Sequence, residues 1–142
     1  MSCSRILLIA TGGTIEKTYD ELSGILSNQV SVLDVMLASV QLRGVEIERL
    51  ALMNKDSLDM TPDDHLHIAT TVRERMDQFD GIVIVHGTDR LGTTGDTLFR
   101  ELGTPLVPVV LTGAMRPWEL RRSDALQNLT EALIAVQLVA PG

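Results

Sequence analysis

The sequence predicts an α/β domain built on a parallel sheet, and three observations lead to it. Short apolar runs recur along the chain, the clearest without alternation, as suits strands buried on both faces. Three runs end in glycine turns that carry hydroxyls: Thr11–Gly12–Gly13–Thr14, His86–Gly87–Thr88–Asp89 and Thr112–Gly113–Ala114. Between the runs lie amphipathic stretches at helical spacing. Strands alternating with helices imply right-handed βαβ units and helices on both faces of the sheet.

The first strand is the run Ile6 to Ala10, and two glycines let the chain turn sharply behind it. Lys17 to Asn28 is polar and turn-rich, with Ser23-Gly24 as a breaker, and reads as a loop able to cover Thr14. Val32, Val35, Met36 and Val40 then recur at helical spacing, with Ser31 as the expected N-cap and Gly44 as a stop. Val45 to Met53 first alternates apolar and charged residues, which predicts a strand near the sheet edge.

Thr61-Pro62-Asp63-Asp64 has the chemistry of a helix start: a capping hydroxyl, proline in the first turn and acids beside it. Leu66, Ala69, Val72 and Met76 mark the expected apolar face of that helix, and His65 and His67 are expected to be solvated. Ile82 to Val85 is the most β-branched run and should be a central strand. A short helix follows from Thr94 to Leu102, then a fourth strand from Val107 to Leu111 with Pro108 near its start. Leu126, Leu129, Leu133 and Val136 define the last helix. The fold expected is a three-layer, flavodoxin-like, doubly wound parallel sheet of four strands in the order 2-1-3-4, forming one domain over residues 1–142. That order brings Thr14 beside Thr88 and Asp89 at the topological switch point.

Composition narrows the function classes. The net charge is −7, and no basic run exceeds Arg121–Arg122, which argues against nucleic acid or an anionic membrane as partner. The N-terminal apolar run is too short for a signal-peptide core or a membrane span, so a cytoplasmic protein is expected. Cys3 is the sole cysteine, which rules out an internal disulfide. Neither a P-loop nor a G-x-G-x-x-G fingerprint is present. Gly92–Thr93–Thr94–Gly95 at a helix start suits an anion, but an acidic chain with two lysines is a poor host for polyphosphate. No metal site and no organic cofactor is expected.

Nucleophilic catalysis fits the turns better. A threonine hydroxyl needs a base, or hydrogen bonds that draw off its proton. Thr14 would find Thr88, Asp89 and the backbone N–H groups of two glycine turns, at Gly13 and Gly87, as partners for a substrate and its oxyanion. The plainer alternatives are that Thr88 caps its turn and Asp89 caps the next helix. Arg116 reads as a structural partner for a carboxylate and Trp118 as a packing or interface residue.

Four motifs taken together resemble the bacterial-type asparaginase/glutaminase family: Thr11–Gly12–Gly13–Thr14–Ile15, Asp56–Ser57–Leu58–Asp59–Met60, His86–Gly87–Thr88–Asp89 and Thr112–Gly113–Ala114–Met115–Arg116–Pro117. They stand in the family's order and similar spacing across nearly the whole chain. The resemblance implies hydrolysis of a side-chain amide of L-asparagine, or of L-glutamine, to the acid and ammonia through an acyl-threonine intermediate. It implies Thr14 as nucleophile, Thr88 as second catalytic threonine, and Asp89 as ligand of the α-amino group and part of the relay. Tyr19 would be the lid tyrosine, Ser57 the ligand of the α-carboxylate, and the Ala114 carbonyl the guide of the leaving amide. A homo-oligomer acting on a small amino-acid substrate is implied, without a cofactor. Two departures stand out. The family's catalytic lysine lies on a segment after the last helix, and its smaller C-terminal domain also follows there. A truncated chain with impaired turnover, or a domain that only binds amino acids, is the alternative expectation.

Overall fold

The computed structural model describes residues 3–20, 25–27 and 32–142, with 18–20 and 25–27 as backbone alone. Its main sheet has four parallel strands: β1 (Ser4–Gly12), β4 (Val45–Lys55), β5 (Gly81–Val85) and β6 (Val109–Thr112). They lie in the order β4-β1-β5-β6, which is the predicted 2-1-3-4 arrangement of the main strands. β1 runs in register with β4 from Ser4↔Val45 to Ala10↔Ala51, and with β5 from Ile6↔Gly81 to Ala10↔Val85. The register on the β4 side shifts between Ala10 and Gly12, where the chain starts to turn.

Among the described residues four α-helices cover the sheet: α1 (Leu33–Ser39), α2 (Pro62–Arg75), α3 (Leu91–Leu102) and α4 (Ala125–Leu138). The period of two along a strand divides the core in two. Ile6, Leu8, Ala10, Val83 and Val85 pack with Leu33 and Met36 of α1 and with Leu129, Leu133 and Val136 of α4. Leu7, Ile9, Ile82 and Ile84 face the other way, onto Ile68, Ala69 and Val72 of α2 and Leu98 of α3. This double burial is why β1 and β5 are apolar at every position from Ile6 to Ala10 and from Ile82 to Val85. No described helix is long and apolar enough to cross a membrane.

The start of α2 has the predicted chemistry. Thr61 Oγ1 accepts from Asp64 N (3.3 Å), while the Asp64 carboxylate accepts from Thr61 N (2.8 Å), so each satisfies an otherwise open donor. Replacing Thr61 by alanine should lower stability by about 1 kcal/mol, read as a shift of the urea midpoint at unchanged slope.

Several expectations are corrected. The segment expected as a loop contains a two-stranded antiparallel ribbon, β2 (Thr18–Asp20) with β3 (Ile25–Ser27), paired Thr18↔Ser27 to Asp20↔Ile25. Three-residue strands hold too little pattern to be read from sequence. Ser31 lies outside the described residues, and Val32 occupies the N-cap position of α1. Val35 is turned outward, at 55% exposure. The buried residues of α2 are His65, Ile68, Ala69, Thr71 and Val72, while Leu66 is exposed. α3 begins at Leu91, three residues before the expected start. The fourth strand begins after Pro108, whose carbonyl accepts from Ile82 N (2.9 Å).

Candidate active site

The turns after β1, β4, β5 and β6 meet at the carboxyl end of the sheet, and missing side chains allow them to meet. A methyl group on Gly13 would lie 2.5 Å from Gly87 N and 2.6 Å from Gly87 Cα. One on Gly87 would lie 2.7 Å from Ser57 Oγ and 2.8 Å from its Cβ. One on Gly113 would overlap the His86 carbonyl oxygen and sit 3.3 Å from Thr88 Cγ2. All four turns are therefore in van der Waals contact, although Gly13 and Gly87 are far apart in the chain. The predicted juxtaposition of the Thr14 and Thr88 turns is what this packing produces.

In the first turn Gly12 and Gly13 have φ of 102° and 86°, in the left-handed region where a Cβ is disfavoured. Thr14 opens a short 3₁₀ turn, Thr14–Glu16, and is half-buried. Thr11 Oγ1 donates to Val85 O (2.6 Å), tying the end of β1 to the end of β5. Glu16 is a site residue that sequence reasoning missed. It is 2% exposed, and its carboxylate accepts from Gly12 N (2.7 Å), bracing the turn from beneath. The Gly13 N–H donates to Lys55 O (3.0 Å), so it is occupied by β4 and does not stand open as the oxyanion donor expected of it.

Ser57 is buried, and its Oγ accepts from the backbone N–H of Arg90 (3.2 Å). Asp56 caps the turn by accepting from Leu58 N (3.0 Å) and pairs with the Lys17 ammonium at 3.1 Å. That N–H and then the ammonium hold its carboxyl below the usual aspartate range. Lys55, the other lysine, meets Asp64 at 2.8 Å. Thr88 and Asp89 are both exposed at the crevice. Arg90 rather than Asp89 is the N-cap residue of α3, and no side chain caps that helix, so the helix-capping alternative for Asp89 is removed. Tyr19 lies in β2 opposite Leu26, and its side chain is outside the described residues.

Ala114 is buried, and its turn is held by the start of α4. The Asp124 carboxylate accepts from Met115 N (2.9 Å) and Arg116 N (3.1 Å). Asn128 Nδ2 donates to Gly113 O (2.9 Å) and to Asp124 (3.0 Å). Burial pushes the Asp124 carboxyl up, but these donors outweigh it and hold the group low. Sequence reasoning missed both residues, although an acid at the first turn of a helix is a readable signal. Arg116 partners a carboxylate, as expected, and does so through its backbone N–H to Asp124. Trp118 packs against the core as expected.

The largest correction concerns histidine. His65 is 4% exposed, not solvated, and belongs to a buried chain that ends at the Thr88 turn. His86 Nδ1 and Gly87 O are 2.7 Å apart, and a carbonyl only accepts, so Nδ1 carries the proton. Burial keeps His86 neutral, so its Nε2 accepts from Thr94 Oγ1 (2.7 Å). The Thr94 oxygen then accepts from His65 Nδ1 (2.6 Å). Every member has one direction.

A pH dependence follows. Burial lowers both imidazoles from their ordinary value of 6.5, with the Arg90 charge adding to the effect at His65. Below that value the unfolded chain binds more protons than the folded one, so stability falls from pH 6.5 toward the lower folded values. Urea titrations between about pH 7.5 and about pH 5.5 should show a loss of up to about 1.4 kcal/mol per unit for each histidine, flattened in His65→Gln/His86→Gln. The lowered carboxyls of Asp56, Asp64 and Asp124 act elsewhere, since their contribution is lost only below 3.8.

Fold and site together define a flavodoxin-like α/β domain that carries hydroxyls and a carboxylate on the strand-end turns at its switch point. The chain belongs to the asparaginase family: the family's N-terminal domain model, described as "Asparaginase, N-terminal", matches residues 5–141. It is 38% identical over 140 residues to an L-asparaginase of Thermococcus kodakarensis, covering 97% of this chain and 42% of that protein. It is 35% identical over 138 residues to one component of the glutamyl-tRNA(Gln) amidotransferase of Methanobrevibacter smithii, covering 96% of this chain and 31% of that one. The solved structure of the thermostable L-asparaginase from Thermococcus kodakarensis superposes with a TM-score of 0.84 at 36% identity, over 97% of this chain and 42% of the other. The chain thus spans about two fifths of the length of the asparaginases it matches.

Proposed function

We propose that this domain carries the threonine centre of an L-asparaginase-type amidohydrolase. The observation behind this reading is the interlock of Gly13, Gly87 and Ser57, which draws the motifs of Thr14, Thr88–Asp89 and Ser57 into one crevice. Thr14 Oγ attacks the side-chain amide carbon of L-asparagine and forms a tetrahedral oxyanion. Backbone N–H groups of the Thr14 and Thr88 turns, other than those of Gly12 and Gly13, which are held by Glu16 and Lys55, stabilise it. The proton that Thr14 gives up passes through Thr88 and Asp89 to the amide nitrogen, collapse breaks the C–N bond and releases ammonia, and water hydrolyses the ester to aspartate and free Thr14. Asp89 also grips the α-ammonium group, Ser57 serves the α-carboxylate, and Ala114 O orients the amide. Tyr19, on the ribbon that follows the Thr14 turn, is assigned to the lid.

A second reading has its own support. Both lysines are held in ion pairs, Lys17 with Asp56 and Lys55 with Asp64, so neither stands free as proton acceptor for Thr88. A domain that binds the amino acid with little turnover would look like this. The deciding experiment measures ammonia release from L-asparagine and L-glutamine, with hydroxylamine added to intercept an acyl-enzyme. Ammonia together with aspartyl hydroxamate supports the hydrolase. Saturable calorimetric binding without ammonia supports the second reading, and neither result in a cooperatively folded sample sinks both.

A further inference from the structure

A cavity of about 330 Å³ opens between the start of α2 and the length of α3, and it shares no lining residue with the turns of Thr14, Thr88 or Ala114. This is near the lower end of the size range of small-molecule sites. Arg90, Thr93, Thr97 and Arg100 line it at spacings of three, four and three, which is one face of a helix. Met60 and His65 face them. The wall holds two guanidinium groups and no carboxylate, in a chain of net charge −7.

The donors are partly uncommitted. Arg90 Nη1 donates to Met60 O (2.8 Å), which fixes the guanidinium while its other N–H groups have no partner among the described residues. Arg100 is shared with Glu101 at 3.3 Å and is largely exposed. His65 donates Nδ1–H to Thr94, so on the neutral ring Nε2 is an acceptor; it has no partner among the described residues and becomes a donor only when the ring takes up a second proton.

We propose that this cavity is a second ligand site, for a small anion of phosphate or carboxylate type, and that its occupancy is felt in the crevice. Two connections carry the coupling. Arg90 spans both places, with its guanidinium in the cavity and its backbone N–H on Ser57 Oγ (3.2 Å). The hydrogen-bond chain from His65 through Thr94 and His86 ends on the Gly87 carbonyl, beside Thr88. An anion draws on Arg90 directly and favours the imidazolium of His65, whose Nε2 then also carries a proton, and so pulls on the start of both. Buried polar chains hold their geometry because each unmade bond is costly, so a shift at one end is passed along.

The test is an NMR titration of the isotope-labelled chain at constant ionic strength, with inorganic phosphate in one arm and succinate in the other. Saturable 1:1 shifts of the His65 ring and of the Thr93 and Thr97 amides are expected, and the tighter arm identifies the source. Arg90→Met and Arg100→Gln should each weaken binding, the former by about tenfold, as for loss of a charge-assisted hydrogen bond. The Gly87 amide should move with the same midpoint. In Thr94→Val that distant response should shrink to what the Arg90–Ser57 link alone carries while the cavity still binds, and Thr94→Ser should restore it. Absence of saturation in the millimolar range, shifts that survive both arginine substitutions, or shifts confined to the crevice would overturn the site. An unmoved Gly87 amide in the wild type would overturn the coupling. Ammonia release plays no part in these readouts, so failure of the amidohydrolase reading leaves them standing.

Discussion

A single methyl group at position 13 is expected to destabilise the domain by about 3–5 kcal/mol, a large part of the stability of a domain this size. Two causes add in Gly13→Ala. At φ 86° and ψ 179° Gly13 occupies a region in which an L side chain is strained. The new Cβ would also meet Gly87 N at 2.5 Å, Gly87 Cα at 2.6 Å and the His86 carbonyl carbon at 2.9 Å. All three atoms are backbone, so no rotamer change relieves the contact. The β1 and β5 turns must part, and with them the crevice. Gly95→Ala is the control: Gly95 lies inside α3 with open space where its Cβ would be, and alanine there should stabilise by roughly 0.5–1 kcal/mol. Urea midpoints of the two variants should therefore move in opposite directions. A Gly13→Ala midpoint close to wild type would show that the turns are not interlocked as described.

The legibility of such features in the sequence depends on where their physics lies. β1 and β5 are readable because burial on both faces removes every polar residue from Ile6 to Ala10 and from Ile82 to Val85. The start of α2 is readable because Thr61 and Asp64 cap each other within four residues. The face of α2 is not. Leu66 competes with Ile68 as an apolar marker, and only the positions of the sheet and of α3 decide for Ile68 and His65. Nor is the His65–Thr94–His86 chain readable, because its members lie on a helix, a second helix and a strand end. The glycine turns are readable as a type, but their contacts are not. Nothing local to Gly13 says that Gly87 lies against it, or that the Gly13 N–H belongs to Lys55. Motif order supplies what periodicity cannot, by placing four strand ends in one crevice. Asp124, Asn128 and Glu16 escape notice because their work is to brace backbone in the turns that the motifs occupy.

Thr14→Ala is expected to lower ammonia release from L-asparagine by at least about 10³-fold relative to the wild-type chain, because removing the attacking oxygen closes the covalent route. The same substitution should leave stability within about 0.5 kcal/mol. Thr14 enters the turn through its carbonyl, which accepts from Lys17 N (3.1 Å), and its half-buried side chain has no hydrogen bond among the described residues. Alanine preserves that backbone contact and creates no buried polar orphan. Affinity for aspartate, measured by calorimetry, should also stay within about threefold, since the groups assigned to the α-amino and α-carboxylate belong to other turns. Thr14→Ser separates the hydroxyl from the side chain that bears it. Serine keeps the nucleophile but frees its rotamer, because the branch at Cβ is gone, and activity should fall between wild type and alanine. The three measurements together discriminate. A loss of activity accompanied by a loss of binding or stability would assign Thr14 to the scaffold, and unchanged activity would remove it from the chemistry. Only the chemical step should respond.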